Sequence, residues 1–451
     1  MAKIWKRATG ALALLTATAG LCCAGGALAQ DAATSAPALL AHQAALELDG
    51  AGTAWLGTST ALVLLMTLPG LALFYGGMVR RKNVIATITQ SVGVFAVVSL
   101  VWFIAGYSIA FSANPNAALQ PFVGGLDALF LNGVTKDTAN ALLPGIPEFL
   151  FISFQMTFAI ITPALITGAF AERFKYSALL LFTALWSLLV YSPICHWVWG
   201  GGFLGSAGVL DFAGGAVVHV NSGVAGLVCA IFLGRRKGYG TEPIVAHNPV
   251  LTMIGASLLL VGWIGFNAGS AGAADGLMGV ALLNTILAAA AGAVTWKIIE
   301  VIEKKKMSLI GMLSGVVAGL VAITPAAGFV DPKGAVIIGL IAGPVCYIAS
   351  TWIKKLLRYD DSLDAFGIHG AGGLLGALLT GVFATVTVNS LSEGASIVPQ
   401  AIGLAWTIAY SAVGTLVILV ICKFTTGLRV SDAEEAEGLD TVLHGESLDH
   451  V

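Results

Sequence analysis

The chain has 451 residues, of which 57% are hydrophobic and only 10% charged, with 56 glycines. Those proportions exclude an ordinary soluble domain and fit a polytopic membrane protein. The formal net charge of -2 offers nothing to nucleic acid, and the positions of the charges are more informative than their sum.

Residues 1–29 carry Lys3, Lys6 and Arg7, then an apolar run from Ala8 to about Cys23, then Ala27-Leu28-Ala29 before Gln30. This reads as a cleaved secretory signal peptide rather than an uncleaved first span. Residues 30–53 follow as a periplasmic N-terminal segment. Apolar runs long enough to cross about 30 Å of hydrocarbon at 1.5 Å per residue then recur. They fall near 54–79, 84–111, 149–170, 176–196, 214–234, 249–269, 276–299, 308–327, 334–353, 365–387 and 398–424. The expected fold is therefore all-α, with eleven transmembrane helices. The four cysteines beyond the signal are scattered through apolar segments, which leaves no disulfide framework or metal-ligand spacing.

Lysine and arginine orient these spans, because they concentrate in cytoplasmic loops. Arg80, Arg81 and Lys82 follow span 1, Arg173 and Lys175 span 3, and Arg235, Arg236 and Lys237 span 5. Lys304, Lys305 and Lys306 follow span 7, Lys354, Lys355 and Arg358 span 9, and Lys423 and Arg429 span 11. The alternate connections hold only Lys136 and Lys333. The mature N-terminus is thus expected outside and the tail, 425–451, in the cytoplasm.

A faint internal repeat runs through the chain. Gly70-Leu-Ala-Leu-Phe74-Tyr-Gly-Gly77 in span 1 is echoed by Gly262-Trp-Ile-Gly-Phe266-Asn-Ala-Gly269 in span 6. Ile161-Thr-Pro-Ala164 in span 3 returns as Ile323-Thr-Pro-Ala326 in span 8. Spans 5 and 10 each hold one histidine, His219 and His369, with glycine at +4 and +7: Gly223 and Gly226, Gly373 and Gly376. An offset of five spans is odd, so the second copy runs through the bilayer in the opposite sense. Two inverted five-helix units, 54–234 and 249–387, plus an eleventh helix place a shared site at their interface near the midplane.

Both histidines are expected there. His219 lies eight residues beyond Asp211 and His369 eight beyond Asp361, roughly 12 Å along helices entering from opposite faces. Ionisable groups at such depth usually face a cavity and mark a pathway. The bland alternative, each satisfied by a nearby hydroxyl or carbonyl, is weakened by the repeat. The glycines beside them leave room for a close neighbour or a narrow passage. Asp211 and Asp364 begin helices and are most simply N-caps. Every Asp and Glu lies in a loop, a tail or at a span end, which disfavours a carboxylate-coupled ion pump. Apart from the pair, only His196 is near the membrane, too few ligands for a metal site. No cofactor is called for.

With these residues in view, the chain resembles the Amt/Mep/Rh ammonium transporters, most closely the bacterial Amt channels. The resemblance runs from about Ser59 to Glu446 through Pro69-Gly-Leu-Ala-Leu-Phe-Tyr-Gly-Gly77, Gly168-Ala-Phe-Ala-Glu-Arg173, Trp199-Gly-Gly-Gly202, Asp211-Phe-Ala-Gly-Gly215, Gly265-Phe-Asn-Ala-Gly-Ser270 and Phe366-Gly-Ile-His-Gly370. It implies ammonium recruitment at Trp199 and Ser270 with Phe154 as a further aromatic wall. It implies an aromatic gate of Phe158 and Phe266 with Trp263 in support, and a vestibule held together by Asp211. His219 and His369 would line the pore. Ordinary core packing explains the phenylalanines equally well, and an interfacial belt explains Trp199. The resemblance also implies transport of ammonium or ammonia, with methylammonium as analogue, in the lipid of the cell inner membrane. A homotrimer and contact of the cytoplasmic tail with a PII-type regulatory protein go with it; read alone, the tail from Arg429 is a disordered end. An ammonium sensor on the same fold is the alternative, disfavoured by the short tail. An enzyme is not expected, since neither nucleophile nor carboxylate stands beside the histidines.

Overall fold

The computed structural model describes residues 43–448. The expected signal peptide, the segment 30–42 and the last three residues of the tail lie outside them. Among the described residues, ten helices are long and apolar enough to cross a membrane. In chain order we label them α1 (Gly50–Met78), α2 (Arg81–Phe111), α3 (Glu148–Phe170), α4 (Tyr176–Ser206), α5 (Gly215–Leu233), α6 (Pro249–Gly269) and α7 (Gly276–Lys304). After the shorter α8 (Leu309–Ile323) come α9 (Pro332–Leu357), α10 (Ala365–Phe383) and α11 (Ile397–Thr425). A backbone that meets lipid must satisfy its own polar groups, and helices do so within one segment. The only strands among the described residues are a short antiparallel pair, Gln43–Ala45 and Thr138–Asn140.

Polar residues just outside the apolar runs set where helices begin. Asp49 accepts from the amides of Ala51 and Gly52, Asn248 from those of Val250 and Leu251, and Ser308 from Gly311. Asn248 and Asp331 are each followed by proline at the first helical position, where a missing N–H costs nothing. The eighth expected span, 308–327, is the exception in length, since α8 stops at Ile323 and irregular backbone carries on past Pro325. That backbone lies inside the protein, not in lipid. The Asn284 amide of α7 donates to the carbonyls of Ala327 and Val330 at 2.9 and 2.8 Å, and Phe212 N donates to Pro325 O at 3.1 Å.

At the end of the molecule where the basic residues gather, Arg236 bridges Glu172 at 3.0 Å and Asp360 at 2.9 Å, and Arg80 reaches Glu172 at 2.9 Å. Burial pushes both carboxyls up, yet Arg236 outweighs it and holds them below the ordinary carboxylate range,. The tail docks on the same surface, which overturns its reading as a disordered end. Its helix α12 (Asp432–Glu437) starts with a capping box of Ser431 and Glu434,. Asp440 then accepts from the amides of Ile85 and Ala86 at 3.1 and 2.8 Å, so the tail supplies the cap that the start of α2 lacks,.

Candidate functional site

Two aspartates anchor the site. The carboxylate of Asp211 accepts four backbone N–H groups at the start of α5: Gly214 at 2.9 Å, Gly215 at 2.6 Å, Ala216 at 2.8 Å and Val217 at 3.1 Å. Burial still pushes its carboxyl above the ordinary value, against the pull of those bonds. At the start of α10 the capping residue is Asp361, not Asp364. Asp361 accepts from Ala365 at 3.0 Å and Phe366 at 2.8 Å. Asp364 occupies the cap position in a left-handed conformation, φ 59°, makes no capping bond and pairs instead with Lys354. A carboxylate three residues further back reaches both free amides, whereas one at the turn itself points away from them. Burial and the neighbouring Asp364 push the Asp361 carboxyl above the ordinary carboxylate range.

From each anchor the chain makes a wide π-helical turn, Gly215–Val220 and Ala365–Gly370, that contains the histidine. Such turns shift side chains out of α-helical register and collect at functional sites. Beyond them the +4 glycines do what a side chain would forbid. A Cβ on Gly223 would stand 2.3 Å from the amide nitrogen of Gly370, and one on Gly373 would meet Gly215 O and His219 Cβ at 3.0 Å. Each histidine stretch therefore lies against the other.

The result is a pair of buried, near-parallel imidazoles that meet through their Nδ1 edges. His219 and His369 have ring centroids 5.3 Å apart at 23°, and their Nδ1 atoms are 3.3 Å apart. Two facing Nδ1 atoms share one proton when both rings are neutral, one donating and one accepting. His219 Nε2 has no protein partner. The pair borders a small cavity of about 10 Å³, room for one water-sized molecule,. Its walls are otherwise apolar and include Leu71, Phe74, Ile161, Leu165, Leu259 and Val317.

An aromatic column leads away from the pair. Trp263 lies parallel to His219 at 5.3 Å and 24°, its indole N–H fixed on Thr324 Oγ1 at 2.9 Å. Phe266 stands 6.0 Å from His219 and stacks on Phe158 at 4.2 Å and 22°. Both rings are buried. Above them Phe158 meets Phe154 at 5.0 Å and, at right angles, Trp199 at 5.9 Å. Trp199 is half-buried and donates its indole N–H to Asp211 O at 2.8 Å, which ties its polar edge to the backbone. Ser270, also half-buried, donates its hydroxyl to Phe266 O at 2.8 Å, leaving oxygen lone pairs to accept. His196 is not part of this column. Its ring nitrogens meet the carbonyls of Ala110 at 2.9 Å and Gln120 at 2.6 Å, tying α4 to the end of α2 and to the loop after it.

The column therefore unites Trp199, Phe154, Phe158, Phe266, Trp263, His219 and His369, with Asp211 behind it and Ser270 one helical turn past Phe266. Sequence reasoning missed Thr324, Gly370 and Asp361. The equal eight-residue spacing of Asp211 to His219 and Asp361 to His369 was the signal that could have found the last.

Membrane-length helices packed around a small apolar cavity bordered by one imidazole pair define a polytopic membrane protein. The chain belongs to the Ammonium Transporter Family, whose model matches residues 54–448. It is 49% identical to an ammonium transporter of Bacillus subtilis over 85% of this chain and 95% of that one. It is 45% identical to the ammonium transporter Amt1 of Archaeoglobus fulgidus over 87% and 97%. Among solved structures it resembles Mep2 of Saccharomyces cerevisiae, with a TM-score of 0.79 and 35% identity over 86% of this chain and 89% of that one. A structure described as a sensor Amt protein is similar too, with a TM-score of 0.80 and 31% identity over 87% and 98%.

Proposed function

We propose that this chain transports ammonium or ammonia across the cell inner membrane through the passage lined by His219 and His369. The observation that carries the reading is the neutral-capable imidazole pair set into otherwise apolar walls beneath stacked phenylalanines. Ammonium is gathered at the face of Trp199, whose ring quadrupole attracts a cation, and by the Ser270 oxygen. Near Phe158 and Phe266 it gives up its proton, to water on the outer side or to the histidine pair, and crosses as ammonia. The histidines hydrogen-bond the neutral solute, or pass the proton between their nitrogens, without a permanent charge in hydrocarbon. Potassium and sodium have no proton to give and would have to enter fully charged, which is costly.

The same proposal has eleven spans, α8 included, in two inverted five-helix units followed by α11. It places the mature N-terminus in the periplasm after removal of residues 1–29, and the tail in the cytoplasm, where it meets a PII-type regulatory protein. A homotrimer with one passage in each subunit completes it. Membership of the family and the distribution of lysine and arginine support these points.

Likeness to the sensor Amt structure supports one second reading, a receptor that binds ammonium and signals. Uptake of labelled methylammonium into liposomes holding the purified chain separates the two. Flux above protein-free liposomes is the result expected of a transporter; saturable binding with no flux would make the chain a receptor.

A further inference from the structure

The connection between α2 and α3, residues 112–147, has two faces. Its first half braces α4 on either side of Trp199. Gln120 O meets His196 Nε2 at 2.6 Å, Phe122 O accepts from Trp197 Nε1 at 2.7 Å, and Pro121 O accepts from Phe203 N at 3.0 Å. The middle of the connection turns the other way. Leu126 and Phe130 are each 60% exposed, and Asp127 is the sole charge between Ser112 and Thr135. Phe130 and Leu131 both sit at φ 55°, a left-handed backbone that bulky side chains rarely adopt and that persists where surroundings or function hold it.

What Phe130 touches gives its depth. Its ring lies edge-on to Phe103 of α2, centroids 5.9 Å apart at 72°, and Phe103 is itself 41% exposed. Val92, Leu100 and Phe103 fall on one exposed face of α2,. At 31 residues α2 is longer than a bilayer requires,. Its basic start, Arg81 and Lys82, belongs at one interface. From Val84 the helix rises about 28 Å to Phe103 at 1.5 Å per residue, close to the ~30 Å of hydrocarbon. Phe103 therefore reaches the opposite hydrocarbon boundary, and Phe130 lies beside it at headgroup level, where amphipathic and aromatic groups partition.

We propose that residues 126–131 form an interfacial lipid anchor. Leu126 and Phe130 enter the boundary between headgroups and acyl chains at the far end of α2, continuing that helix's lipid-facing side. The anchor pins the half of the loop that supports His196 and Trp197, and so steadies Trp199 beside them. The proposal rests on reading α2 as a membrane span.

The test places the photoreactive residue benzoylphenylalanine at position 130, and separately at 126, in the full chain reconstituted in phosphatidylethanolamine and phosphatidylglycerol vesicles. The same residue at position 100, on the lipid-facing side of α2, and at solvent-exposed position 136 serve as references, and retained methylammonium uptake shows that each protein is folded. After illumination, intact mass at 130 and 126 should rise by one phospholipid, as at 100 and unlike 136. Lipid adducts at 100 with none at 130 or 126 would overturn the anchor alone. Cross-linked chain pairs at 130 would overturn it in favour of a contact between copies. An absence of adducts at 100 as well would remove the span on which it rests.

Discussion

The closest test of how the two histidine stretches fit together is Gly223→Ala. The added Cβ would stand 2.3 Å from Gly370 N and 2.4 Å from Gly370 Cα, backbone atoms that cannot rotate away, while ordinary contact begins at 3.4 Å. The starts of α5 and α10 must separate by about 1 Å, an overpacking of roughly 1–3 kcal/mol. That should lower thermal stability without unfolding the protein. The same shift takes the histidine Nδ1 atoms from 3.3 Å past hydrogen-bond range, and a displacement of ~1 Å at a working site can cost on the order of a hundredfold in rate. Methylammonium uptake into liposomes should therefore fall at least about tenfold. Gly57→Ala is the control, because a Cβ there meets nothing within 4 Å. Wild-type uptake by Gly223→Ala, or an equal loss in Gly57→Ala, would refute the reasoning.

Other consequences follow from the same geometry. Trp199→Leu removes an aromatic face worth about 0.5–2 kcal/mol to a cation, so the ammonium concentration for half-maximal flux should rise roughly 2- to 30-fold; an unchanged value would take Trp199 out of recruitment. Arg236→Met leaves Glu172 with Arg80 alone and Asp360 with only Arg173, 4.0 Å away, and should cost up to about 3–5 kcal/mol at neutral pH. Both carboxyls titrate below their unfolded values in the intact protein, so the stability they contribute is present above about pH 4 and lost as pH falls further. The gap in thermal stability between variant and wild type should accordingly narrow under acid, and a constant gap from neutral pH to pH 3 would contradict the pairing. Asp440→Ala removes the cap on α2 and about 1 kcal/mol of local stability. Trypsin should then cut after Arg429 sooner than in the wild type, and equal cleavage rates would mean the tail is held elsewhere.

Much of the fold was legible because hydropathy and charge act over whole segments. The apolar run 249–269 coincides with α6, and 149–170 differs from α3 by one residue. The run 308–327 was overlong because Pro325 interrupts the helix while the residues around it stay apolar and buried, a difference hydropathy does not register. The histidine pair was legible from spacing, since Gly223 and Gly373 each follow a histidine by four residues and each receives the other stretch. The π-turns that carry His219 and His369 were not, because a widened turn leaves no mark on apolar periodicity. Asp364 reads as the cap because it directly precedes the helix, whereas the capping bonds come from Asp361, folded back from three residues earlier. Phe158 and Phe266 look like any core phenylalanines in sequence, and only their 4.2 Å stacking above His219 sets them apart. Docking of the tail depends on bonds between residues some 350 positions apart, such as Asp440 with Ala86, which local composition cannot register.

The central claim is that solute passes the two imidazoles. It is tested most directly by measuring methylammonium flux and ammonium-evoked current together, in liposomes containing wild type, His219→Ala or His369→Ala. Each substitution removes one of the two imidazoles that border the cavity, so flux and current should both change strongly in either variant. Unchanged flux and current in both would contradict the account.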